Sequence, residues 1–424
     1  MEVFYPFISI LNKIGELILG FYSFVFEELK NFVLSLNDYS VFEVIWKIFT
    51  SGGWIVFAFV FAWGFWNLWL NYVQGKYASK VKWILLSIKV PKDNKYPPQV
   101  AEKMFTHLAS AKSGGNFIDR YFKGVFQLSL SFEIVCLNGR IKYFVYVPQR
   151  LRHLVESAIY SAYPEAEISL VSEDYTIEAP TEFPNEKYNL WGTELTLYKE
   201  DCYPIRTYPA FEFPSIKEFI DPLSSLWESL GKFGSGERGW IQIIITPISQ
   251  DWKKQGEKLI AKLTKEKQDE EASKTSNTKV IEGIQRKISK IGFRTKIRLI
   301  YFAPKEVFDK GKGVSALLGV FNQFSTLDMN GFKPYSRVST GADYFFVKKR
   351  IAKKQERIIQ NYIKRSAGAG APGFILNVEE LASIYHYPVK AFMVPPIERT
   401  SSRRGAPPPN LALDSWGPLT PDQD

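Results

Sequence analysis

Residues whose types and spacing could do chemistry fall into a few groups. Lys348, Lys349, Arg350, Lys353, Lys354, Arg357, Lys364 and Arg365 recur at helical spacing beside an apolar stripe of Ile351, Ile358 and Tyr362. Residues 344–365 are therefore expected to form a helix with one basic face. Such a face can neutralise nucleic-acid phosphates without reading sequence. It can also dock on an acidic partner, be drawn to a membrane surface, or simply face water. Two stretches match G-x-G-x-x-G, at Gly234, Gly236 and Gly239 and at Gly368, Gly370 and Gly373. A dinucleotide site needs a strand before such glycines and a helix after them, so that the helix N-terminus meets the pyrophosphate. The first match runs straight into the apolar run at Trp240, and the second follows the basic helix and contains Pro372, so both read as loops.

The pairs Gly231/Gly236 and Gly368/Gly373 have P-loop spacing, but Glu237-Arg238 and Phe374-Ile375 follow them. Neither supplies the Lys for phosphate or the hydroxyl for Mg²⁺. The neighbouring acids Glu165/Glu167 and Glu173-Asp174 read as solvated. His107, His153 and His386 are far apart in sequence, and Cys136 and Cys202 can make at most one bridge. Nothing has the form C-x-x-C or H-E-x-x-H. No metal, no cofactor and no enzymatic activity is expected of this chain.

The elements that must hold these residues come next. The chain has 424 residues, 46% of them apolar, enough for two or three domains with sizeable cores. Its net charge of +10 is local: Arg337 to Arg404 holds thirteen Lys/Arg against five Asp/Glu, an excess of eight.

No charged residue occurs from Ile48 to Gly75. That length suffices for a transmembrane helix, which needs about 20 apolar residues. Trp54 sits at one end and Trp66, Trp69 and Tyr72 toward the other, as interfacial anchors do. One lysine (Lys47) between Leu34 and Gly53, against six between Gly75 and Lys95, predicts a single-pass topology with the C-terminal bulk in the cytoplasm. Before the span, Phe4, Phe7, Ile8, Leu11, Ile14, Ile18, Phe21, Val25, Leu29 and Phe32 follow a one-sided helical spacing, interrupted by Asn12, Lys13, Glu16 and Glu27. Residues 1–47 read as an amphipathic extracytoplasmic segment lying on the bilayer or packed on a partner, with a second span as the alternative.

Beyond the span an α+β body is expected. Residues 76–180 give a strand (Trp83 to Val90), a helix opened by Pro97-Pro98, and a strand alternating Phe126, Leu128, Leu130, Phe132 and Ile134 with polar residues. An Asn138-Gly139 hairpin, a returning strand, a helix from Gln149 to Tyr163 and a strand from Ala166 to Val171 follow. The order β-α-β-β-α-β is the ferredoxin-like pattern. Residues 181–340 suggest a second sheet-and-helix module, read as a divergent copy of the first, with a polar insert at 265–279 expected to be solvated or flexible. Residues 341–392 carry the basic helix and a short helix capped by Asn377, and 393–424 a Pro-rich extended tail.

The segments WILLSIKVPKDN, FEIVCLNGRIKYFVYVPQRLRHLVESAIYSAYPEAEI, KEDCYPIRTYPAFE, GERGWIQIIITPISQDW, MNGFKPYSRV, FILNVEELASIYHYP and RRGAPPPNL span most of residues 76–413. Together they resemble the non-catalytic region that precedes the motor in membrane-anchored conjugation and type IV secretion coupling-type ATPases. In that family the Pro-rich segment leads into a P-loop motor, whereas this sequence stops at Asp424. The resemblance implies a platform subunit in the bacterial cytoplasmic membrane. A separate P-loop ATPase would dock on the tail or the ferredoxin-like modules, with residues 369–413 as the leading contact, and a homo-oligomer is expected by analogy with ring-shaped transport assemblies. The rival expectation is a membrane-tethered nucleic-acid-binding protein using the helix at 348–365.

Overall fold

The computed structural model describes residues 41–91, 94–213, 218–219, 221–269 and 274–389, and residue 27. The Pro-rich tail and nearly all of the amphipathic segment expected before residue 47 lie outside the described residues. The chain divides into two compact units, one made of the described residues up to Tyr77 with Phe117–Gly124, the other of Ala78–Asn116 and the residues from Val125 on.

The first unit holds α1 (Val41–Ile48), a kink (Phe49–Gly53) whose Gly52 is non-helical at φ 115°, and α2 (Trp54–Lys80). A one-turn helix at Phe117–Tyr121 belongs to it as well.

The second unit is mixed α+β. Its elements in chain order begin with β1 (Trp83–Lys89), α3 (Gln99–Leu108), β2 (Leu130–Leu137), β3 (Arg140–Pro148), α4 (Arg152–Ala162) and β4 (Glu167–Leu170). Next come β5 (Tyr188–Leu197), the two-residue β6 (Glu212–Phe213) and β7 (Glu218–Phe219), α5 (Ser224–Gly231) and β8 (Arg238–Pro247). Then follow α6 (Lys253–Asp269), α7 (Lys274–Ser289), β9 (Gly292–Pro304), α8 (Lys310–Asn322), β10 (Phe332–Pro334), α9 (Val347–Ile363), β11 (Phe374–Asn377) and α10 (Val378–Ile384).

Nine strands form one antiparallel sheet in the order β10-β5-β9-β8-β2-β3-β1-β4, with β11 also on β9. This order is palindromic. Numbering the strands of each half in chain order, both halves read fourth-first-third-second, and the two second strands meet at the centre. There β2 pairs β8 from Leu130↔Ile245 to Leu137↔Arg238. The Asn138-Gly139 turn between β2 and β3 has both residues at positive φ (53° and 77°), the backbone of a type I′ hairpin.

The pleat sends alternate residues to two covered faces. On one, Phe132, Ile134, Val145, Ile243 and Leu299 pack with Phe105, Ile159, Trp227, Leu317 and Leu381 of the helices. On the other, Val135, Phe144, Trp240 and Ile300 meet Ile358, Ile359 and Tyr362 of α9 and Tyr175.

This double cover corrects one expectation. The strand expected from Phe126 begins at Leu130, and its polar residues Ser131 and Glu133 are buried rather than solvated. Within the polar insert expected at 265–279, residues 265–269 belong to α6 and 274–279 to α7, and Lys265 and Lys279 are exposed there. The types at Lys265, Glu266, Lys267 and Gln268 are good helix formers. At Gly256 a Cβ would sit 2.5 Å from Ile288 Cγ2, so a bare glycine lets the two helices approach.

Candidate functional site

The first candidate feature is α2. It is apolar around its whole circumference, and Phe57, Phe61 and Leu68 are exposed. Among the described residues it is the one helix long and apolar enough to cross a membrane, at 27 residues. The expected anchors Trp54, Trp66, Trp69 and Tyr72 all lie on it with exposed rings. Trp69 Nε1 donates to Tyr121 O at 3.0 Å, and the Trp66 and Tyr121 rings are 5.8 Å apart.

The second feature is a row of buried polar residues that sequence reasoning did not single out. Register places Glu133 opposite Gln242, Gln242 opposite Arg298, and Arg298 opposite Glu194, across β2, β8, β9 and β5. All four are fully buried beneath α9. Glu133 Oε1 accepts from Ser131 Oγ (2.7 Å), Gln242 Nε2 (3.0 Å) and Arg365 Nε (2.9 Å). Its Oε2 accepts from Tyr175 Oη at 2.7 Å and Arg365 Nη2 at 3.2 Å.

Arg298 donates from Nε to Glu194 Oε1 (2.6 Å), from Nη1 to Gln242 Oε1 (2.9 Å) and Asn361 O (3.1 Å), and from Nη2 to Ser366 O and Ala369 O. Its planar fork thus gathers carbonyls at and after the C-terminus of α9, which the helix itself cannot satisfy. Lys296 Nζ also donates to Ala369 O. Burial pushes the Lys296 ammonium down to about 8. The other end of the row is closed by Asp174, which binds Arg365 Nη1 at 2.6 Å. Burial would raise the Asp174 carboxyl, but the Arg365 guanidinium more than offsets this and holds it below its usual value.

This row explains the second glycine motif. Ala371 N donates to Glu194 Oε2, and at Gly370, with φ 92°, a Cβ would collide with both Glu194 carboxylate oxygens. The loop cradles a carboxylate of the chain itself. The first motif forms the turn into β8, where Gly236 has φ 85°.

The expected basic helix is therefore pinned at its C-terminal end, and it presents one cationic stripe. Arg350, Lys353, Arg357 and Lys364 are exposed along it, at i, i+3, i+7 and i+14, and Lys348 and Lys349 are exposed beside its start. Two expected contact residues stand apart. Lys354 is half-buried and donates to Ser336 O (3.1 Å) and Gly341 O (2.7 Å). Arg365 is buried in the row, so it is not part of the exposed face, and Asp174 is its partner rather than a solvated acid. Before the helix, Tyr344, Phe345 and Phe346 are all highly exposed, and Tyr344 and Phe346 have positive φ.

Residues 374–387, within the region expected to meet an ATPase, are buried. Asn377 and Glu380 make a reciprocal capping box, and Glu380 pairs with Lys287 at 3.1 Å, both fully buried. His386 Nε2 lies 2.9 Å from Asp221 Oδ1 in the core. Among the described residues no group of three or more His, Cys, Asp or Glu is arranged to hold a metal ion. Cys136 and Cys202 are free and buried.

A family model described as a domain of unknown function (DUF8128) matches residues 76–400. No curated protein matches the chain.

Proposed function

The chain belongs to the DUF8128 family, and from its geometry we propose that it is a membrane-anchored, non-enzymatic platform subunit of a type IV secretion or conjugation-like transfer apparatus that docks a separate P-loop ATPase. The observation that carries the reading is α2, whose exposed apolar surface needs a bilayer to cover it. The lysines in its last turns and beyond it, from Lys76 to Lys95, favour the cytoplasm for the body. Each half of that body, with its fourth-first-third-second strand order, reads as a ferredoxin-like module, and the pair as an internal duplication.

The non-enzymatic part of the reading is supported by where the buried charges go. Glu133, Asp174, Glu194, Lys296, Arg298 and Arg365 are directed at one another and at the α9–β11 loop. They fix the position of α9 and its loop. Residues 374–387 are in the core, and the proposed ATPase contact is therefore assigned to residues 388–413. Alkaline carbonate extraction of native membranes tests the anchor. The chain is expected in the pellet, and release into the supernatant would contradict it.

A second reading has its own observation. The stripe on α9 begins at the exposed Tyr344-Phe345-Phe346 group, and cations beside aromatic rings suit single-stranded nucleic acid. This is the tethered nucleic-acid-binding alternative.

A further inference from the structure

The excursion between α3 and β2 does something the body's packing does not require. Residues 117–124 return to α2 and lie against one face of its last turns, at Trp66, Trp69 and Val73. These positions are i, i+3 and i+7, one helical stripe. The approach is tight: Gly124, at φ 69°, is pressed on the backbone at Val73 so closely that any Cβ would collide with the Val73 carbonyl. Tyr121 receives the Trp69 indole hydrogen on its carbonyl.

The side chains this segment leaves exposed are not those of a solvent loop. Phe117, Ile118 and Phe122 are 64%, 61% and 55% exposed. Two of the nearby charges pair with each other, Lys123 Nζ to Asp119 Oδ1 at 2.8 Å, and Arg120 is exposed. The level along α2 is informative. Trp54 to Val73 is nineteen helical steps, or about 29 Å, close to the roughly 30 Å hydrocarbon thickness. Trp66 to Val73 therefore marks the last ~10 Å before the lysine-rich end, the depth at which amphipathic segments lie.

We propose that residues 117–122 form a second membrane contact, a one-turn interfacial foot that buries Phe117, Ile118 and Phe122 in the lipid beside the lysine-rich end of α2. The foot fixes the depth and rotation of α2 by holding three of its side chains at the bilayer boundary. This rests on α2 spanning the bilayer, so the test reads both.

The full chain is reconstituted in phosphatidylcholine vesicles with a single environment-sensitive label at Ile118→Cys. The native thiols do not compete, because Cys136 and Cys202 are buried and burial pushes the Cys136 thiol up to about 12. Phe59→Cys reports on the span and Leu327→Cys, a fully exposed site, on water. The label at 118 is expected to be quenched about twofold or more by nitroxide lipid and little by aqueous iodide, as for an interfacial segment, with 59 lipid-quenched and 327 iodide-quenched. Lipid quenching at 59 with iodide quenching at 118 overturns the foot and leaves the anchor standing. Shielding of 118 from both quenchers overturns it in favour of a protein cover. No lipid quenching at 59 removes the anchor and the foot together.

Discussion

Arg298 and Glu194 face each other across β9 and β5, Nε to Oε1 at 2.6 Å, with both side chains wholly removed from water. The pair sits at the end of the α9–β11 loop, and each member also binds that loop's backbone. A buried ion pair is weak evidence for stability by itself, since desolvation can exceed the Coulombic gain. Here it serves as a positional device: without it the loop carbonyls and the carboxylate lose their partners at once.

Removing one member should therefore be costly. Arg298→Met leaves Glu194 buried and unpaired and is expected to lose about 3–5 kcal/mol. The double variant Arg298→Met, Glu194→Gln should recover part of that. Denaturant unfolding of the purified chain, followed by near-ultraviolet circular dichroism, measures both. A loss below about 1 kcal/mol for the single variant, the range of an exposed pair, contradicts the assignment.

The glycine motif offers a contrast within one loop. Gly370→Ala places a methyl group on the Glu194 carboxylate at a left-handed backbone position, and a loss of at least about 2 kcal/mol is expected. Gly368→Ala meets nothing within 4 Å and should be nearly neutral. Equal effects of the two on thermal stability would refute the cradle.

Lys296 gives a pH signature. Its folded value is about 8, below the ordinary lysine value, so between those limits the unfolded chain holds a proton that the folded chain has released. Its contribution to stability thus rises with pH across that window, and below about pH 8 the cost of the buried ammonium is fully present. Lys296→Met removes that cost. The stability of the variant relative to the parent should be most favourable below pH 8 and should fall toward pH 10.4, by at most about 3 kcal/mol. Parallel pH profiles for the two proteins contradict this.

The sequence displayed α2 and the first β-α-β-β-α-β order clearly, because a charge-free run, a prolyl helix start and Asn138-Gly139 are local signals. It hid the buried row for a physical reason. Glu133, Gln242, Arg298 and Glu194 look like the water-facing half of alternating strands, and only α9, which begins forty-nine residues on from Arg298, turns that face inward. The same cover takes Arg365 from the basic stripe to Glu133. The palindromic sheet order was beyond reach as well, since it depends on β2 pairing with β8 about a hundred residues away.

The stripe on α9 separates the two readings of function. If it binds nucleic acid, affinity should fall steeply with salt, and Lys353→Ala with Arg357→Ala should lower the magnitude of the log–log slope by about 1.4, roughly 0.7 for each single-strand phosphate contact. Fluorescence anisotropy with a labelled single strand measures this. A platform that docks protein predicts negligible binding at physiological salt and no change in either variant's fold.

The most direct test of the platform is crosslinking capture from native membranes, comparing the full chain with one ending at Lys390. The account predicts that a P-loop ATPase is recovered with the full chain and is lost or strongly reduced with the shortened one. Recovery of no ATPase with either form would contradict it.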